Sequence, residues 1–236
     1  KRMIVEPTIV EGHHAGTWRH GFLGVEDLRE LRHADEIESA PQQAHLALAF
    51  EGLPQRDPAL FSLQMFSNIM GGGMSSRLFQ EVREKRGLCY SVYSFHWGFS
   101  DTGIFGIHAA TSQDDLEKLV PLLLSELRRV GEDLSEAEVD RARAQYRASL
   151  LMSAESAASR SGQIARQIIL FGRTITTDEL MDRLSKITVE RLKDLARRLF
   201  IDTVPAVAAI GPVSKLMSYE DICAALSDKM PIPQKI

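Results

Sequence analysis

GGGMSSRLFQEVREKRGLCY, residues 71–90, holds a triple glycine, an amphipathic helix and that helix's stop signal in one run. Gly71, Gly72 and Gly73 free the backbone to bend sharply or to approach a ligand closely. Ser75 or Ser76 is placed to cap the helix that follows. On that helix Leu78, Phe79 and Val82 form an apolar stripe, so Gln80, Arg83 and Lys85 fall on other faces. Gly87 reads as the C-terminal stop, with a strand opening at Leu88. Arg83 at the helix end and Tyr90 at the strand start therefore do not share a helix, yet both can face one crevice.

Outward from this run, residues 43–51 alternate apolar and polar around AHLALAFE and predict a strand. Asp57 and Pro58 open a helix on which Leu60, Leu63, Phe66 and Met70 repeat at helical spacing. Downstream, strands are predicted over 88–99 and 103–110, joined at Ser100, Asp101 and Thr102. Ser112 opens a helix with Leu116, Leu119, Val120, Leu123, Leu127 and Val130 facing inward, bent at Pro121. Ser135 with Glu138 forms a capping box for a helical run to about Leu170, ended by Gly172 and divided by the serine- and alanine-rich residues 153–161. Two shorter helices start near Thr177 and Thr188. Residues 204–210 read as a short buried strand closed by Gly211 and Pro212, and a helix over 218–226 precedes the tail MPIPQKI.

The first forty residues read as a lead-in with short extended pieces over 7–10 and 17–23. The expected organisation is residues 1–40 as lead-in or connection with an edge strand, 41–215 as the domain, and 216–236 as a C-terminal helix and tail. The element order predicts an α+β fold, a mainly antiparallel sheet with helices packed on one face. No internal repeat is visible.

With 236 residues and 44% hydrophobic content, the chain can bury a sizeable core. A formal net charge of −4 gives no reason to expect nucleic acid as a partner. No apolar run approaches membrane-spanning length, so no membrane is expected. Cys89 and Cys223 stand singly and imply no disulfide framework or thiolate zinc site. The opening KRMIVEPTIVEG has Lys1 where an initiator methionine would stand and reads as a fragment or processed product.

Metal chemistry finds little support. His13, His14, His20, His33, His45, His96 and His108 include no H-E-x-x-H or H-x-x-E-H window. His96 and His108 fall on adjacent strands, without a carboxylate placed by sequence to complete a site. Ser75, Ser76 and Cys89 have no nearby histidine and no nucleophile elbow, and Cys89 reads as a small core residue. GGGMSSR could cradle an anion at a helix N-terminus, but it lacks the lysine-threonine ending of a nucleotide loop. Arg83, Lys85 and Arg86, taken alone, read as a solvated helix face.

The run SSRLFQEVREKRGLCYSVYSF followed by FSDTGIFGIHAAT resembles the C-terminal half of the pitrilysin and insulinase family of zinc metallopeptidases, in its bacterial members akin to mitochondrial processing peptidase. The similarity spans roughly residues 43–212, and the block 71–111 is its most specific part. The resemblance implies one of two related halves that close like a clam on an extended peptide. The other half would carry the H-x-x-E-H zinc motif, so no catalytic residue and no metal are expected here. Arg83 and Tyr90 are implied to hold substrate backbone, with Gly71, Gly72 and Gly73 where a glycine-rich substrate loop ends. The implied partners are a zinc-bearing N-terminal half or subunit, a peptide substrate and, as a further option, a second copy of the chain. The compartment implied is the cytoplasm of a bacterium or the mitochondrial matrix of a eukaryote. A non-proteolytic structural subunit, as in the core of respiratory complex III, is the alternative.

Overall fold

The computed structural model describes residues 43–201 and 203–227, so the lead-in over 1–40, with His13 and His14, and the tail MPIPQKI lie outside the described residues. Among the described residues four strands form one antiparallel sheet in the order β2-β3-β1-β4: β1 (Ala44–Glu51), β2 (Ser91–Gly98), β3 (Gly103–Thr111) and β4 (Ala206–Ile210). Seven α-helices among the described residues accompany it: α1 (Leu60–Gly71), α2 (Gln113–Asp133), α3 (Glu136–Glu155), α4 (Ala157–Phe171), α5 (Thr177–Ser185), α6 (Val189–Phe200) and α7 (Tyr219–Ala225). A π-helical segment, Phe79–Glu84, stands between α1 and β2. The fold is the expected α+β arrangement.

Alternation along the strands decides which face meets the helices. Ala44, Leu46, Leu48 and Phe50 of β1 are buried, and their register neighbours Phe105, Ile107 and Ala109 of β3 are buried with them. Onto this face pack Leu63, Phe66 and Met70 of α1, Leu119 and Leu123 of α2, and Leu192 and Phe200 of α6. Phe200 sits at the centre, its ring 4.9 Å from Phe50, 5.5 Å from Phe105 and 5.8 Å from Phe66. Ile222 and Leu226 are also fully buried, so the C-terminal helix shares this core.

Local cap chemistry sets most helix starts. Ser112, Ser135, Thr176, Thr188 and Ser218 each accept a backbone N–H from the first turn, and Ser135 with Glu138 completes the capping box. The predicted division of the long run falls at Ser156, which ends α3 and caps α4. Gly172 ends α4 at φ 70°.

Four details differ from expectation. Asp57 accepts from the Ala59 N–H at 2.7 Å, but in the turn ahead of α1, which starts without a side-chain cap. Neither Ser75 nor Ser76 caps the helix after the glycines: the Ser75 hydroxyl accepts from Gln145 at 2.8 Å, and the buried Ser76 hydroxyl has no partner among the described residues. β2 begins at Ser91 rather than Leu88, because Thr111 donates to the Leu88 carbonyl at 2.5 Å and diverts the chain before it enters the sheet. β4 is half-buried to exposed along its length rather than buried, because it pairs only with β1 among the described residues and is mostly alanine.

Candidate functional site

The site grows from the segment after the glycines. Gly71 closes α1 against β2: an added Cβ would lie 2.2 Å from the Ser94 nitrogen, so only glycine permits this approach. A Cβ on Gly72 would meet the Asn68 backbone at 2.6 Å, whereas nothing lies within 4 Å of one on Gly73. Gly72, Gly73 and Met74 are exposed, with Met74 75% exposed. Beside Gly72 opens a cleft of about 460 Å³ of mixed polar and apolar lining, which includes Gln64, Ser67, Asn68, Phe95, His96 and Tyr146.

Arg77 then anchors the next turn. Its side chain is 7% exposed; Nε and Nη2 each donate to Glu138 at 3.0 Å, Nη1 donates to Asp133, and Nη1 lies 3.7 Å from Glu126. Glu126 is 1% exposed and also accepts from Arg129 at 2.6 Å. Burial alone would raise the Glu138 and Asp133 carboxyls, but hydrogen bonds and charge from Arg77 outweigh it and hold both below their ordinary range. Glu126 goes the other way: burial outweighs its two arginines and raises it.

The chain next winds as a π-helix, with the Lys85 N–H donating to the Gln80 carbonyl at 3.0 Å. Such wide turns are uncommon and recur at functional positions. Leu78 and Val82 point into the core at 0% exposure. Glu81 is buried and accepts from Lys85 at 2.6 Å and Arg86 at 3.1 Å. These pairs occupy two of the three cations of the basic run. Arg83 is exposed, lies 4.7 Å above the Phe79 ring, and makes no hydrogen bond or ion pair among the described residues.

Gly87 at φ 63° ends this helix, with its N–H donating to Arg83 and that of Leu88 to Val82. The chain reverses, and the Tyr90 N–H donates to Ala110 at 2.8 Å, which pins Tyr90 to β3. The Tyr90 side chain is 59% exposed and its hydroxyl is without a partner among the described residues. Burial raises the Cys89 thiol to about 11, and the Arg83 charge acts against that rise. Cys89 is buried, as read from the sequence.

His96 and His108 fall on adjacent strands, as read from the sequence, but on opposite faces of the sheet. His96 points to the helix-covered face opposite Phe105, and burial lowers it. His108 meets His45 instead, Nε2 to Nδ1 at 3.4 Å, and stacks on Tyr93 at 4.9 Å. Burial and then His45 lower His108, whose Nδ1 is buried without a partner among the described residues. A histidine that ligates a metal ordinarily donates its other ring N–H to an acceptor, and His108 has none there. Among the described residues no group of three or more His, Cys, Asp or Glu is gathered to hold a metal ion.

Sequence spacing identified the Arg83–Gly87–Tyr90 turn. It missed Arg77, whose partners Glu126, Asp133 and Glu138 are distant in sequence, and it missed the π geometry.

The site thus stands on a four-stranded antiparallel sheet backed by helices, with an exposed arginine and an exposed tyrosine on either side of one chain reversal. A family model described as the peptidase M16 inactive domain matches residues 10–146, more than half of the chain. The chain belongs to that family. It is 37% identical over 180 residues to the uncharacterized zinc protease YmxG of Bacillus subtilis, covering 75% of this chain and 43% of that protein. It is 39% identical over 172 residues to an uncharacterized zinc protease of Rickettsia felis, covering 72% and 42%. Against the mitochondrial-processing peptidase subunit beta of Mus musculus it is 28% identical over 190 residues, covering 77% and 39%. The chain thus spans less than half the length of these relatives. In fold it is similar to a chain of complex III2 from Candida albicans, with TM-score 0.70 and 22% identity over 79% of this chain and 47% of that one. A protease from Helicobacter pylori gives TM-score 0.62 and 21% identity, covering 72% and 41%.

Proposed function

We propose that this chain is the substrate-binding, metal-free C-terminal half of a zinc metalloendopeptidase that closes on an extended peptide. The observation that carries this reading is the exposed pair Arg83 and Tyr90 at one reversal, whose side chains make no hydrogen bond or ion pair among the described residues, beside cations already committed to Glu81. A guanidinium stays protonated and offers several donors in a fixed fork, which suits a peptide carbonyl. A tyrosine hydroxyl can donate to a neighbouring carbonyl or to the oxyanion that develops on it. The exposed Gly72 and Gly73 give a backbone lip along which substrate can pass, with Gly71 setting that lip against β2. A zinc ion bound in the partner half would polarise the scissile carbonyl and activate water, while Arg83 and Tyr90 of this chain hold the peptide. The partner is a zinc-bearing N-terminal half or subunit, and the compartment is the bacterial cytoplasm or, in a eukaryote, the mitochondrial matrix. Among the described residues no helix is long and apolar enough to cross a membrane.

The test compares the assembled protein, this chain with its zinc-bearing half, with the chain alone. Elemental analysis and a fluorogenic peptide assay should give zinc and chelator-sensitive cleavage in the assembly and neither in the chain alone. Stoichiometric zinc with cleavage in the chain alone would overturn the reading. A zinc-loaded assembly that cuts no peptide would favour the structural-subunit alternative.

A further inference from the structure

Phe79 stands four residues before Arg83 on the π-helical segment, and the Arg83 guanidinium carbon lies 4.7 Å from the centroid of its ring. A ring face attracts a cation within about 6 Å of its centroid. Residues four apart on a helix surface are neighbours and residues two apart are not, so Arg83 shares a face with Phe79 rather than with Glu81. Glu81 accepts instead from Lys85 at 2.6 Å and from Arg86 at 3.1 Å. The three cations are thereby sorted: the carboxylate holds two, and an uncharged ring holds the third.

That sorting has a chemical consequence. A carboxylate under Arg83 would take up the N–H donors that a peptide carbonyl needs. Phenylalanine carries no acceptor atom in its side chain, so the ring attracts the charge and leaves the donors of the fork available. The ring is also a firm support. Phe79 is half-buried and packed against the core, while Arg83 is exposed. The segment itself is fastened: Arg77, just ahead of it, binds Glu138 through two hydrogen bonds of 3.0 Å, and the Gly87 N–H donates to the Arg83 carbonyl at 2.9 Å. The Gln80 amide donates to the Met74 carbonyl at 2.6 Å and ties the same segment to the glycine lip. A long side chain loses rotamer freedom when it grips a ligand, and one already resting on a surface has less to lose.

We infer that Phe79 is the positioning residue of Arg83: its ring holds the guanidinium in place for a carbonyl of the bound peptide without itself touching substrate. This inference rests on the substrate-gripping reading above and adds the residue that prepares Arg83 for that task.

The test measures kcat/KM of the assembled protein on a fluorogenic peptide, with Phe79→Leu, Phe79→Met and Phe79→Tyr each made in the wild-type and the Arg83→Ala background. Leucine and methionine keep an apolar side chain against the core but remove the ring face, whereas tyrosine keeps the face. Both non-aromatic variants should lower kcat/KM about three- to thirtyfold, the range of a cation–ring contact from exposed to desolvated. Tyrosine should stay within about twofold of wild type. With Arg83→Ala present, none of the three should lower kcat/KM further, because residues that act through one another are not additive. Provided Arg83→Ala itself is slowed, each of three results would overturn this inference alone: wild-type kcat/KM in both non-aromatic variants, an equal loss in both backgrounds, or no rescue by tyrosine. Full activity in Arg83→Ala would instead defeat the substrate-gripping reading, and this inference with it.

Discussion

Replacing Arg77 by methionine removes the charge that fastens the site segment to the α2–α3 junction while keeping a similar side-chain length. Arg77 gives Glu138 two hydrogen bonds of 3.0 Å, donates to Asp133 and lies 3.7 Å from Glu126. Breaking a buried ion pair by removing one partner typically costs about 3–5 kcal/mol, because the remaining charge is left uncompensated. Arg129 still serves Glu126 and Asp133 after the change, and Asp133 is 39% exposed, so the lower end applies. A loss of about 3 kcal/mol in a domain of this size lowers Tm by roughly 6–12 °C. Thermal and urea melts of Arg77→Met against wild type read it directly. Arg77→Lys should fall between, since an ammonium cannot reproduce the two-point contact.

The variant's acid response carries the sign of the linkage. Glu138 and Asp133 are depressed in the folded state, so the stability they contribute is present above their unfolded values and lost as pH falls through their folded ones. Wild type should therefore lose this contribution as the pH drops below about 4. Arg77→Met has less of it to lose and should show a shallower acid slope. Glu126, raised by burial, opposes part of the effect in both proteins. Destabilisation of less than about 1 kcal/mol, the range of a surface pair, with an unchanged acid slope would refute the network's importance.

Two other outcomes follow from the geometry. Gly71→Ala puts a Cβ 2.2 Å from a backbone nitrogen that cannot rotate away, so urea melts should show a loss of about 1–3 kcal/mol, typical of overpacking. His96 and His108 are lowered by burial, so the folded state binds fewer protons than the unfolded one, and stability should decline as pH falls below about 6.5; His108→Gln should flatten that part of a pH–Tm profile.

Features governed by short-range chemistry were legible in the sequence. Ser112, Ser135 and Ser218 mark helix starts because their hydroxyls act on N–H groups only a few residues away. Gly87 and Gly172 mark stops because only glycine takes a positive φ there without strain. The Arg83–Tyr90 reversal follows from such a stop next to a strand. Features governed by register or distant charge were not legible. His45 and His108 are 63 positions apart and meet only because β1 and β3 align as they do. Residues 204–210 form a continuous apolar run that suits a buried strand, but apolarity alone does not say whether a strand has neighbours on both sides. The failure of Ser76 to cap has the same origin: its hydroxyl is buried, with local propensity giving way to packing.

The central claim, that Arg83 and Tyr90 grip substrate, is tested most directly by turnover of the assembled protein carrying Arg83→Ala or Tyr90→Phe. Each side chain is exposed and makes no hydrogen bond or ion pair among the described residues, and the Arg83 contact with the Phe79 ring is worth only about 0.5–1 kcal/mol at an exposed site, so Tm should stay close to wild type and zinc content should not change. Loss of one positioned oxyanion-type donor typically lowers kcat about a hundredfold to a thousandfold, and each variant should show a loss of that order. Wild-type kcat and KM in both single variants would contradict the account and remove the pair from the mechanism.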